Sequence, residues 1–79
     1  MSRDALHQAL LEAHASEDLD ALVRLYTEAG DGSEAAGDID AACFFLTHAY
    51  VFALQGGRPE AETLNRRLAG HGRASLLAF

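Results

Sequence analysis

Apolar and polar residues recur along this chain in four blocks of helical period, separated by short breaks rich in Ser, Gly and Asp. In the first block, Leu6, Ala9, Leu10 and Ala13 fall at i, i+3, i+4 and i+7, the spacing of one helix face. A helix over residues 3–14 follows, with Asp4 in its first turn, where a negative charge suits the helix dipole. Ser16, followed by Glu17 and Asp18, reads as the N-cap of a second helix. Leu19, Leu22, Val23, Tyr26, Ala29, Gly30 and Ser33 share one face of it. Gly30 and Gly32 each cost about 1 kcal/mol relative to Ala inside a helix. The small and apolar register nevertheless carries through them, so one continuous helix to about Ala36 is expected. Such glycines let a neighbouring backbone come close.

Gly37 ends that helix and Asp38 caps the third, which runs to about Gln55 and stops at Gly56-Gly57. Between Ala41 and Leu54 its only polar side chains are Thr47 and His48. A segment this apolar calls for burial on more than one side. In projection, Ile39, Ala42, Cys43, Leu46, Ala49, Tyr50 and Ala53 share one face, expected to pack on the second helix. Phe44, Phe45, Val51 and Phe52 lie opposite with Ala41, and His48 is at the centre of that face. Pro59 suits the first position of a fourth helix, with Glu60 and Glu62 in its first turn and Ala61, Leu64 and Leu68 as its apolar stripe. Glu62 and Arg66 form an i, i+4 pair, and Arg66 and Arg67 occupy the last turn before Gly70. The tail, with Leu76, Leu77 and Phe79, either packs back or frays. No alternating β pattern of useful length occurs. The chain, residues 1–79, therefore reads as a single all-α domain, four antiparallel helices joined by short turns as helical hairpins.

From Tyr26 to Ala49 the sequence resembles one tetratricopeptide repeat, a helix-turn-helix unit of about 34 residues. Tyr26 stands at the family's Trp position, Ala29-Gly30 at its Leu-Gly pair, and Gly37-Asp38 at its Gly-Asp turn. Ala42, Leu46 and Ala49 match the small, bulky and small positions of the second helix. Small residues at Gly30, Ala42 and Ala49 let two backbones approach, while Tyr26 and Leu46 fill the gaps beside them. Ser33 replaces the usual aromatic, and Leu54 stands where the family's proline ends the second helix. The third helix is accordingly longer than a family helix. The resemblance, over about residues 23–56, implies a protein-interaction scaffold without catalysis, its central hairpin flanked by capping helices. The first helix of such a unit lines the family's recognition face. Here it offers Arg24 and Thr27 amid Glu28, Asp31 and Glu34, so a carboxylate-binding clamp is not expected.

Composition narrows the function further. The 79 residues carry a net charge of −6 and no Lys, which argues against nucleic acid and against an anionic membrane surface. The apolar run Ala41–Leu54 is too short to span a bilayer, which takes about 20 residues. One cysteine, Cys43, permits no internal disulfide and fits a reducing cytoplasm. Residues 1–40 hold ten Asp or Glu against two Arg, whereas residues 58–73 hold four Arg against two Glu. Glu17, Asp18, Asp38 and Glu60 all suit helix starts, within a solvated surface. The alternative is an acidic half that meets a basic partner, or the basic end of another copy.

Candidate chemistry is sparse. Cys43 and His48 point to different sides of the third helix, so local spacing makes them neither a metal pair nor a nucleophile and base. His7 and His14 lie two turns apart, about 10 Å, too far for one ion. No glycine spacing matches a phosphate-binding loop, and the Glu17-Asp18 pair sits exposed at a cap. No cofactor, metal or catalytic residue is assigned. The expectation is a non-catalytic, cytoplasmic protein-interaction module that forms a homodimer or docks on a larger protein. Its candidate partner-binding residues are Phe44, Phe45, His48, Val51 and Phe52. The alternative is a small-ligand-binding helical bundle with an apolar pocket around His48, Tyr50 and the phenylalanines.

Overall fold

The computed structural model of the protein describes residues 3–72; the expected behaviour of the Arg73–Phe79 tail lies outside them. The described residues form four helices and no strand: α1 (Arg3–Ala15), α2 (Leu19–Ala35), α3 (Ile39–Gln55) and α4 (Glu60–Gly70). The helix limits agree with the periodicity to within a residue at most ends. Helix α2 passes unbroken through Gly30 and Gly32. Pro59 stands just before α4 as its cap rather than as its first residue.

One turn design recurs. Each helix ends on a residue of positive φ: Glu17 at 54°, Gly37 at 80°, Gly57 at 62° and Gly72 at 74°. After the first three, the next backbone N–H reaches back into the last helical turn. Asp18 donates to Ala13 at 3.0 Å, Asp38 to Ser33 at 2.9 Å and Arg58 to Ala53 at 2.8 Å. This closure satisfies helix-end carbonyls that would otherwise lack donors. It also corrects the expected cap of α2. Ser16 does not cap it; its hydroxyl turns back to the Glu12 carbonyl at 3.0 Å, at the end of α1. Asp18 is the N-cap, accepting from the Ala21 N–H at 3.1 Å, just as Asp38 accepts from Ala41 at 3.1 Å. Glu17 therefore lies in the turn and not at a helix start.

The helices pack mainly on their chain neighbours, α1 on α2, α2 on α3 and α3 on α4. Side chains also bridge alternate helices, α1 to α3 through His14 and Phe52 and α2 to α4 through Arg67 and Asp31. The result is a thin slab of 33 × 30 × 13 Å, not a closed bundle. The main core joins Val23 of α2, the Cys43, Leu46, Ala49 and Ala53 face of α3, and Leu64 and Leu68 of α4. The face of α3 expected to meet α2 thus packs on α4 as well. A second core places Ala13 of α1 on Leu22 and Leu25 of α2. The two meet over α2, which is buried on two sides.

The α2–α3 crossing depends on Gly30. A Cβ there would lie 2.7 Å from Leu46 Cδ2, 2.8 Å from its Cγ and 3.3 Å from the Ala42 carbonyl oxygen. Leu46 and Ala42 are fully buried, so neither has free space to move into. A Cβ on Gly32, by contrast, would meet nothing within 4 Å.

Candidate interaction surfaces

The two candidate surfaces adjoin along α3, where Tyr26 packs against both His48 and Phe45 and Phe45 packs on Phe44 at 5.5 Å. Its ring stacks on His48 at 5.0 Å between centroids and on Phe52 at 5.8 Å, and lies 6.4 Å from Phe45. Its hydroxyl is hydrogen-bonded to His14 Nε2 at 2.9 Å. The cluster forms because α1 and α3 run in the same direction across α2, which brings His14 and Phe52 together edge to face at 5.7 Å. Such aromatic contacts contribute about 0.5–1.5 kcal/mol beyond area burial. Sequence reasoning placed Tyr26 and His14 in no site. Tyr26 was legible only as a filler of the hairpin, and nothing in the spacing of His14 pointed to a partner on α3.

The five candidate partner-binding residues divide. Phe52 is half-buried beneath His14 and Tyr26. Phe45 is half-buried beside Tyr26. His48 is held between the rings of Tyr26 and Phe44, 4.5 Å from the latter, and its Nδ1–H donates to the Phe44 carbonyl at 2.8 Å. Phe44 and Val51 lie open, 58% and 44% exposed, and Leu54 joins them at 45%. Helix α1 therefore covers only the Phe52 end of this face. Helix α4 turns its Leu64 and Leu68 into the main core and leaves the Phe44 side uncovered. Phe44, His48 and Val51, at i, i+4 and i+7, form the outer stripe.

A groove opens between the N-terminal halves of α1 and α3. Its volume is about 820 Å³. Leu6 and Leu10 of α1, Ala29 of α2 and Phe45 of α3 supply its apolar lining, and Gly32, Ser33 and Ala36 complete the floor. Asp4, Glu28 and Asp38 stand around it with His7. No Arg or Lys side chain of residues 4–72 is among those that line it.

The basic C-terminal segment turns out to face the acids of α2 within the same chain. Arg58 pairs with Asp20 at 2.7 Å, Arg67 with Asp31 at 2.6 Å and with Glu34 at 3.5 Å, and His71 Nε2 with Glu34 at 2.8 Å. The hydrogen bond from His71, helped by the Arg67 charge, holds the Glu34 carboxyl below its ordinary value, against a smaller opposing effect of burial. Exposed pairs of this kind contribute about 0–1 kcal/mol each, so they set the side on which α4 lies more than they hold it there.

Cys43 is a free thiol buried in the main core. It borders a shallow hollow shared with Asp40, Phe44, Thr47 and His48. Among the described residues, no group of three or more His, Cys, Asp or Glu side chains is placed to hold a metal ion. No helix among them is long and apolar enough to cross a membrane. No family of proteins, no curated protein and no solved structure matches the chain.

Proposed function

We propose that the chain is a non-catalytic, cytoplasmic protein-interaction module with a tetratricopeptide-like central hairpin. It docks through the outer stripe of α3 on a second copy of itself or on a larger protein. The observation that carries this reading is the exposure of Phe44, Val51 and Leu54 on the most apolar helix of the molecule. Exposed apolar groups gathered on one face mark contact sites in small soluble domains. The close crossing at Gly30, Ala42 and Leu46, and the packing of each helix on its neighbours, support the family resemblance. The small-ligand reading has less support. The rings around His48 pack on one another, and the hollow beside it is shallow and open.

Sedimentation equilibrium up to high micromolar concentration tests the self-associating form. Wild type should show a mass above the monomer, and Phe44→Glu should return it to the monomer with its helical spectrum intact. A monomeric wild type at every concentration rules that form out. Affinity capture with Phe44→Glu and Val51→Glu as controls then decides whether the stripe meets another protein. Captured proteins unaffected by both substitutions would overturn the reading.

A further inference from the structure

We propose that the groove between α1 and α3 is a second docking site, whose occupant is a short cationic amphipathic helix of another protein. The groove adjoins the outer stripe of α3 only where Phe45 on its wall packs edge to face on Phe44 at 5.5 Å, and its remaining lining lies on α1, α2 and the start of α3, so the inference does not depend on what that stripe binds. Three features specify the occupant. The first is shape. Helices α1 and α3 meet at His14 and Phe52 and leave a gap of about 820 Å³ toward their N-terminal halves, above α2. The lining of α1 from Asp4 to Leu10 extends about 9 Å at 1.5 Å per residue, which is a little under two turns of a partner helix. The second is the apolar lining. Leu6, Leu10 and Phe45 are each half-buried in the free chain, so a partner side chain completes a burial already begun. Apolar residues at i, i+3 or i+4, and i+7 of a partner helix suit such a cleft.

The third feature is charge. Asp4, Glu28 and Asp38 border the groove, and no Arg or Lys side chain of residues 4–72 does so. Arg58 and Arg67 pair instead with Asp20, Asp31 and Glu34 of α2. A partner with Lys or Arg flanking its apolar stripe would be both steered and registered by this rim. An acidic or neutral helix of the same shape would not.

Gly32 provides the decisive variant. It lies on the groove floor with open space above it, so Gly32→Leu fills the groove while favouring the helix. The probe is a synthetic Leu/Lys amphipathic peptide of about 15 residues, long enough to form a helix on binding. Its counterpart has Glu at every Lys position. Titration into isotopically labelled protein should shift amide resonances along residues 4–10, 28–36 and 38–45. Gly32→Leu should weaken binding at least about tenfold, and Asp4→Asn combined with Glu28→Gln should weaken it about five- to tenfold at low salt. The Leu/Glu peptide should not bind. Three results overturn the proposal: affinity unchanged in Gly32→Leu, shifts scattered over the acidic surface, or shifts confined to the outer stripe of α3. Loss of binding in Phe44→Glu with retention in Gly32→Leu would move the site to that stripe.

Discussion

Adding one methyl group at two positions in the same helix should have opposite effects on stability. Gly30 and Gly32 both lie within α2, and replacing either by Ala removes the conformational cost of glycine in a helix, about 1 kcal/mol. At Gly32 the new Cβ meets nothing within 4 Å, so Gly32→Ala should stabilise by about 0.5–1 kcal/mol. At Gly30 it would stand 2.7 Å from Leu46 Cδ2 and 2.8 Å from Leu46 Cγ. Carbon atoms prefer about 3.5–4.0 Å, so Leu46 or the whole of α3 must move by most of an ångström. Leu46 is fully buried in the core it shares with Val23, Leu64 and Leu68, so its displacement disturbs packed neighbours. Overpacking of this kind costs about 1–3 kcal/mol. After the helix gain is subtracted, Gly30→Ala should be neutral to about 2 kcal/mol destabilised. The gap between the two variants, about 1–3 kcal/mol, isolates the steric contact because the propensity gain is common to both. Urea unfolding at fixed m-value reads it directly, and a gap of 1 kcal/mol is about 4–8 °C in midpoint for a chain of this size. Removing the obstacle gives a second check. Leu46→Ala alone should cost about 2–5 kcal/mol, and measurably less when Ala already occupies position 30. Equal stabilities for Gly30→Ala and Gly32→Ala would refute the close crossing, and with it the main packing argument for the hairpin.

The turns and charges give further tests. Asp18→Ala and Asp38→Ala should each cost about 0.5–2 kcal/mol in thermal unfolding, while Ser16→Ala should cost little, because Asp18 and not Ser16 caps α2. Glu17→Gly should stabilise by about 0.5–1 kcal/mol, since Glu17 holds a left-handed φ of 54° that glycine adopts without strain. The Glu34 carboxyl is held below its ordinary value of 4.5 in the folded chain, so its contribution to stability is present above pH 4.5 and is lost as pH falls through the lower folded value. Glu34→Gln should therefore flatten the stability–pH curve below 4.5; an identical acid limb would refute the assignment.

The helices were legible because their apolar spacing and punctuation agreed. Gly37-Asp38 and Gly56-Gly57 named two of the turns outright, and the small residues of α3 named its packing face. The turn between α1 and α2 was misread because Ser16 is a good cap by type, yet Glu17 takes the left-handed position that glycine fills elsewhere. A signal that would have corrected it is present in the chain. Asp18-Leu19-Asp20-Ala21 and Asp38-Ile39-Asp40-Ala41 repeat one pattern, and their caps are the same to within the geometry given. Thr27 and Thr47 extend the parallel, each hydroxyl donating at 2.7 Å to the carbonyl four residues before it. Leu25 was omitted from the core because one face was sought on α2, whereas that helix is buried on two. The groove was not legible at all. It arises from the divergence of α1 and α3, and no local pattern encodes the angle between helices that are not consecutive.

That divergence is what gives α3 two separate faces. In a closed four-helix bundle α1 would lie against α4, and one central core would absorb the phenylalanines. Here α4 packs on α3, with Arg58, Arg67 and His71 reaching Asp20, Asp31 and Glu34 of α2. Because each such pair is weak, apolar contact must carry the packing, through Leu64 and Leu68 in the same core as Leu46. Helix α4 then cannot reach round to Phe44. Helix α1 touches α3 through His14 at Phe52, and its N-terminal half stands off from α3 across the groove. The outer stripe and the groove are thus two consequences of one packing decision. Substitutions that tighten the His14–Tyr26–Phe52 contact should change the mouth of the groove without altering the exposure of Phe44.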